Sequence, residues 1–309
     1  MQQATKQVRS KIPAEAVELY TQYIHGEISR RDFMDSVKRF TVAGLTTAAI
    51  VEALMPNYAL GQQVRKDDER IKATYETIPS PNGNGYIRGY FVRPFSQDTR
   101  SETPTKLPTV LVVHENRGLN PHTEDVARRF ALENFVAFAP DALTTVGGYP
   151  SDDYKGGLLF GKIDKDKLTR DFVACAQWLK GHALSNGKVA VTGFCFGGGV
   201  SNTLATLLGP DLAAAAPFYG AMPTGADVAK IKAAILAHHG ALDTMLANAY
   251  PAYDAALKQN NIPHEGHIYP NSVHGFFNDA TPERYNKAAA EQAWNSTIAW
   301  FNKYTRATS

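Results

Sequence analysis

The sequence predicts an α/β protein: a mostly parallel central sheet with helices on both faces, an antiparallel hairpin at one edge and a helical N-terminal extension. Three observations predict it. Short, continuously apolar runs alternate with longer segments of helical periodicity from Leu107 to Tyr304, the pattern of strands buried on both faces. Two alternating runs flank Pro81-Asn-Gly-Asn-Gly85, which is a hairpin signal. Residues 1–65 lack this rhythm and carry only helix-like segments.

Taken in order, residues 13–26 and 28–40 read as short helices, followed by a weakly apolar run over 41–55 and then Pro56-Asn-Tyr-Ala-Leu-Gly61. Arg30-Arg31 before that run, with small residues at 59–61, has the features of a twin-arginine export signal. The position of the pair, behind a helix-like segment, and Glu52 inside the run fit instead a retained extension that packs on the protein or on a second copy. Both readings stand. The first places the protein in the periplasm and the second in the cytoplasm. The chain divides at about residue 65, with 1–65 as leader or extension and 66–309 as the α/β domain. In that domain 107–115, 135–141, 188–194, 213–220, 233–240 and 264–270 are expected strands. Residues 121–134, 164–182, 249–261 and 282–304 are expected helices.

Charge and cysteine usage narrow the function. Thirty-two basic and 30 acidic residues give a net charge of +2 with no basic stripe, so no nucleic-acid partner is implied. Two cysteines make no disulfide framework. Cys175 sits at helical apolar spacing and is expected as a core thiol. Cys195 is different. In Val191-Thr-Gly-Phe-Cys-Phe-Gly-Gly-Gly-Val200 it lies in G-x-C-x-G between an apolar strand and a helix. That is the nucleophile elbow, with cysteine in place of serine. Glycines on either side let strand and helix pass closely, and a helix N-terminus favours a thiolate.

A nucleophile needs a base and the base an orienting group. Asp243 follows the strand 233–240 and His274 follows the strand 264–270, so Cys195, Asp243 and His274 stand in the chain order this arrangement requires. The backbone amides of Phe196 and Asn116 are the expected oxyanion donors. Glu115 ends an apolar run beside Asn116 and is expected to face the same cleft. Phe194, Phe196, Tyr149 and Tyr219 are candidates for an apolar pocket lining. His264-Glu-Gly-His267 lacks the spacing of a metal helix, and neither metal nor cofactor is expected.

These features together resemble the dienelactone hydrolase family, a branch of the α/β-hydrolases. The resemblance covers roughly residues 66–305 and rests on His114-Glu-Asn-Arg-Gly118, Ala139-Pro-Asp141, the stretch 185–199, Leu242-Asp243 and Tyr269-Pro-Asn-Ser-Val-His-Gly-Phe276. It implies Cys195 as nucleophile, His274 as general base and acid, Asp243 as its orienting residue, and Glu115 as the glutamate that helps ionise the thiol. It implies hydrolysis of a small ester or lactone through a thioester. Two departures stand out. Members of the family hold a lactone carboxylate with two arginines. Here Asp141–Pro150 contains none, and Asn278 falls near the second position. Arg117 is the remaining candidate, and dienelactone itself is not the expected substrate. The extension resembles that of a bacterial subgroup with a signal-like helical leader, and a homodimer through its helices is the expected assembly. Two other readings remain: a scaffold on a hydrolase fold working through its N-terminal helices, and a thiol redox protein using Cys175 to resolve Cys195.

Overall fold

The computed structural model describes residues 12–25, 28–41, 46–95 and 106–306. Eight strands form one sheet: β1 (Ile71–Ser80), β2 (Gly85–Pro94), β3 (Leu107–Val113), β4 (Val136–Pro140), β5 (Ser185–Phe194), β6 (Ala214–Phe218), β7 (Ala234–Gly240) and β8 (His264–Tyr269). Their order is β1-β2-β4-β3-β5-β6-β7-β8. The hairpin β1–β2 pairs from Ser80↔Gly85 to Ile71↔Pro94, and β2 joins β4 antiparallel. Every other pairing is parallel. This is the α/β-hydrolase architecture, with the expected hairpin at one edge.

Strand periodicity explains the two cores. Along β3, Leu111 and Val113 join Val191 and Ile235 on one face, while Val110 and Val112 join Ala190 and Leu236 on the other. Successive side chains point to opposite faces, so a run apolar at every position serves both. The first face is covered by α7 (Lys165–Gly181) through Leu168 and Phe172, and by α8 (Phe196–Leu207) through Leu204. The second is covered by α5 (Pro121–Leu132) through Val126 and Phe130, and by α10 (Lys287–Thr305) through Trp300 and Phe301. Each fully buried side chain of this size contributes about 1.5–3 kcal/mol. Cys175 lies inside the first core, and burial pushes its thiol well above the usual range.

Three helices differ from expectation. α6 (Asp153–Phe160) has no counterpart in the sequence reading: two adjacent glycines mask its pattern, and the Asp152 carboxylate capping Lys155 N at 2.8 Å starts it. α9 (Thr244–Gln259) begins ahead of residue 249 and runs through Pro251 at the loss of one backbone donor. α10 begins at Lys287 and not at Pro282, because Asn286 caps Ala289 N.

The N-terminal helices are α1 (Ala14–His25), α2 (Arg30–Val37), α3 (Thr47–Leu54) and the short α4 (Tyr58–Gly61). Ser29 and Asp32 form a capping box at the start of α2. Ala16, Tyr20, Phe33, Val37, Ile50 and Leu54 close a small core of their own. These side chains pack the apolar stripes of the N-terminal helices against one another. No helix among the described residues is long and apolar enough to cross a membrane. The segment after α4 is tied to the sheet by Asp125 of α5. Its carboxylate accepts from Val64 N at 2.8 Å and pairs with Arg128 at 3.1 Å and Arg129 at 2.6 Å.

Candidate active site

At the end of β5 the chain turns within one residue. Cys195 has φ 55° and ψ −111°, a region that non-glycine residues occupy at a cost of about 1–3 kcal/mol. Tight crossing backbone imposes it. A Cβ at Gly193 would run into the carbonyl of Gly197, and one at Gly197 into that of Val113. Cys195 N donates to Phe218 O at 3.1 Å. α8 starts at the next residue, so the Phe196 amide is among those a helix leaves without an internal acceptor.

Asp243 sits at the turn from β7 into α9, where its side chain makes no cap. It is directed instead at His274, which follows β8: Nδ1 of the ring lies 2.7 Å from Asp243 Oδ2. The imidazole also hydrogen-bonds Cys195. Burial alone would lower the basicity of His274. The negative charge at Cys195, with the bonds to Asp243 and Cys195, outweighs burial, and the pKa is pushed up to about 10. A cleft of about 1030 Å³ opens over these groups, and Cys195, Asp243 and His274 all line it.

The other expected residues divide. Phe196 and Tyr219 line the cleft. Tyr219 is only 1% exposed, its hydroxyl has no hydrogen-bond partner among the described residues, and burial together with the charge of Glu115 pushes the phenol well up. Glu115 lies outside the cleft lining, where Asn278 Nδ2 donates to it at 3.5 Å. Burial favours its neutral acid. The charges of Arg284, His122, His274 and Arg117 outweigh that and hold the carboxyl below the usual range. Asn116 is partly buried on the same loop.

Four of the expected residues lie outside the lining of this cleft. Phe194 is a core side chain stacked on Phe277 at 5.1 Å, because it precedes the turn and follows the strand's alternation. Arg117 is buried, and its Nη1 donates to the Asp153 carbonyl at 3.3 Å, drawn there by α6. Tyr149 donates to Asp153 Oδ1 at 2.8 Å on the same side. Asn278 is buried against Glu115. None of the four lines the cleft.

Sequence reasoning missed Arg284. Its guanidinium is buried over the Tyr20 ring at 5.9 Å and is the strongest cation acting on Glu115. Arg284 lies six residues beyond Asn278, in the stretch 282–286, which the sequence predicts as helix and which precedes the start of α10 at Lys287. The helix expected over 13–26 is α1, and what the sequence did not show is that its Val17, Glu18 and Thr21 line the cleft. Among the described residues no group of His, Cys, Asp and Glu is placed to hold a metal ion.

Comparison with known proteins identifies the family. Residues 95–305 match the model of the "Dienelactone hydrolase family", and residues 4–39 match the model described as "YqhI-like". The chain is 51% identical over 120 residues to the "Putative hydrolase fragment YghX" of Escherichia coli K12, covering 39% of this chain and 97% of that one. It is 31% identical over 258 residues to the "Putative carboxymethylenebutenolidase" of the same organism, covering 78% of this chain and 90% of the relative. The crystal structure titled a putative dienelactone hydrolase from Klebsiella pneumoniae superposes with a TM-score of 0.64 at 27% identity, covering 76% of this chain and 99% of the other. The chain belongs to the dienelactone hydrolase family and is a hydrolase of the α/β-hydrolase fold.

Proposed function

We propose that the protein hydrolyses small esters or lactones with Cys195 as nucleophile. The observation that carries this reading is the alignment of three side chains: a cysteine in a strained turn, bonded to an imidazole whose far nitrogen lies 2.7 Å from a buried carboxylate. The sulfur attacks the carbonyl carbon, and the carbonyl electron pair moves onto oxygen. Amides of Phe196 and Asn116 receive that charge, each worth about 3–4 kcal/mol. His274 gives its proton to the departing alcohol oxygen, and a thioester remains on Cys195. Water then loses a proton to His274, attacks the thioester and releases the acid. Asp243 keeps the imidazole in the tautomer and direction both steps need. Glu115 acts through the field at His274, adding a negative charge that favours the imidazolium. The test is turnover of p-nitrophenyl acetate by the full chain. Cys195→Ala abolishes it, and iodoacetamide blocks it while labelling Cys195 and not the buried Cys175. Turnover that survives Cys195→Ala overturns the reading.

A further inference from the structure

Helix α1 stands over the catalytic groups. Val17 and Thr21, one turn apart, and Glu18 beside them line the same cleft as Cys195 and His274. The opposite stripe of the helix, Ala16 and Tyr20, is buried in the N-terminal core, so the orientation of α1 is set by its own amphipathic pattern. Its seat is set by aromatic and charged contacts to the α/β domain. Tyr23 stacks on Tyr154 at 5.9 Å, Arg30 lies over the same ring at 5.2 Å, and Tyr58 donates to Asp153 Oδ2 at 2.6 Å.

Carboxylates outnumber cations on the lining. Asp243 is paired with His274 at 2.7 Å and Asp227 with Lys230 at 2.6 Å, which leaves Glu18 and Glu283 as the further acidic side chains, and among the described residues neither lysine nor arginine lines the cleft. Arg117 and Arg284 both act on Glu115 and lie outside the lining, Arg117 donating to the Asp153 carbonyl and Arg284 lying over the Tyr20 ring. The rim is apolar: Leu242 is 58% exposed and Met245 76%, both on the lining. A carboxylate-bearing substrate entering here passes the like charge of Glu18 on the exposed face of α1, a repulsion that salt screens. An uncharged acyl group meets an apolar rim.

We infer that α1 is a wall of the substrate site and that Glu18 makes this site select uncharged, apolar esters over anionic ones. The inference rests on Cys195 being the reacting group, and its test separates the two. Alkylation of Cys195 by neutral iodoacetamide and by anionic iodoacetate, each normalised to glutathione, probes the field at the sulfur without any hydrolysis. Glu18→Lys favours iodoacetate, shifting the ratio by about threefold or more at low salt, and the shift shrinks as ionic strength rises to about 0.5 M. Glu291→Lys, the same charge change on exposed α10, shifts it by less than about 1.5-fold. In parallel, kcat/KM for p-nitrophenyl butyrate exceeds that for p-nitrophenyl hemisuccinate by about tenfold or more, and Glu18→Lys narrows the gap. If Glu18→Lys moves the alkylation ratio no more than Glu291→Lys, or if the hemisuccinate is preferred, the inference is overturned. If no ester turns over yet the alkylation ratio shifts as stated, the wall stands and the hydrolytic reading falls.

Discussion

His274 Nδ1 and Asp243 Oδ2 lie 2.7 Å apart, and the same imidazole bonds the Cys195 sulfur. An amide in place of the carboxylate would keep the shape of the pair while presenting the wrong hydrogen-bonding partner to Nδ1–H. Asp243→Asn is therefore expected to lower kcat for p-nitrophenyl acetate by about 10²–10⁴-fold with KM little changed. A variant within twofold of the parent would show that Asp243 does not orient the base.

The proton on His274 gives a second expectation. Its pKa is displaced upward from the ordinary 6.5 to about 10. A group raised in this way keeps its proton across the whole interval, so the imidazolium persists beside the sulfur from mildly acidic to mildly alkaline conditions. Alkylation of Cys195 by iodoacetamide should then be nearly independent of pH between about 6.5 and 9, where an ordinary thiol rises through roughly 8.5. His274→Ala should restore that rise. The pH profile of carbamidomethylation at Cys195, followed by mass spectrometry, decides it.

Gly193 faces backbone, and backbone cannot step aside as a side chain can. A methyl group there meets the Gly197 carbonyl. Gly193→Ala is expected to cost about 3 kcal/mol, the upper end for overpacking, and to lower Tm by roughly 5–10 °C. Thermal unfolding that moves by less than a degree or two would mean the turn is looser than this.

Asp125 binds two buried arginines and the backbone of Val64. Removing it leaves both cations buried beside fewer partners. Asp125→Ala should destabilise the protein by about 3–5 kcal/mol, measured by denaturant unfolding. It should also loosen the segment after α4, read as faster hydrogen exchange at Gln63 and Val64, whose amides now donate to that carboxylate.

Strands and the Cys195, Asp243, His274 set were legible because each signal is local. A strand buried on both faces carries an unbroken apolar run, as Val110–Val113 of β3 does, and each of the three residues lies at or within a few residues of a strand end. What stayed hidden depends on partners distant in the chain. The direction of Arg117 is decided by the carbonyl of Asp153 in α6, a helix that its glycines conceal. Arg284 earns its place only because the loop after His274 returns it to Glu115. The amphipathic pattern of α1 says that one side is buried and does not say that the other overlooks Cys195.

That last relationship has a consequence for biosynthesis. α1 leaves the ribosome before the α/β domain, and its core with α2 and α3 is formed from residues close in sequence, so this bundle can gather early. Its seat is made of Tyr154 and Arg284, and the cleft it overlooks of Cys195 and His274, all translated much later. The N-terminal bundle must wait for residues as distant as Arg284 before it can dock, and until then the sulfur of Cys195 lies uncovered on that side.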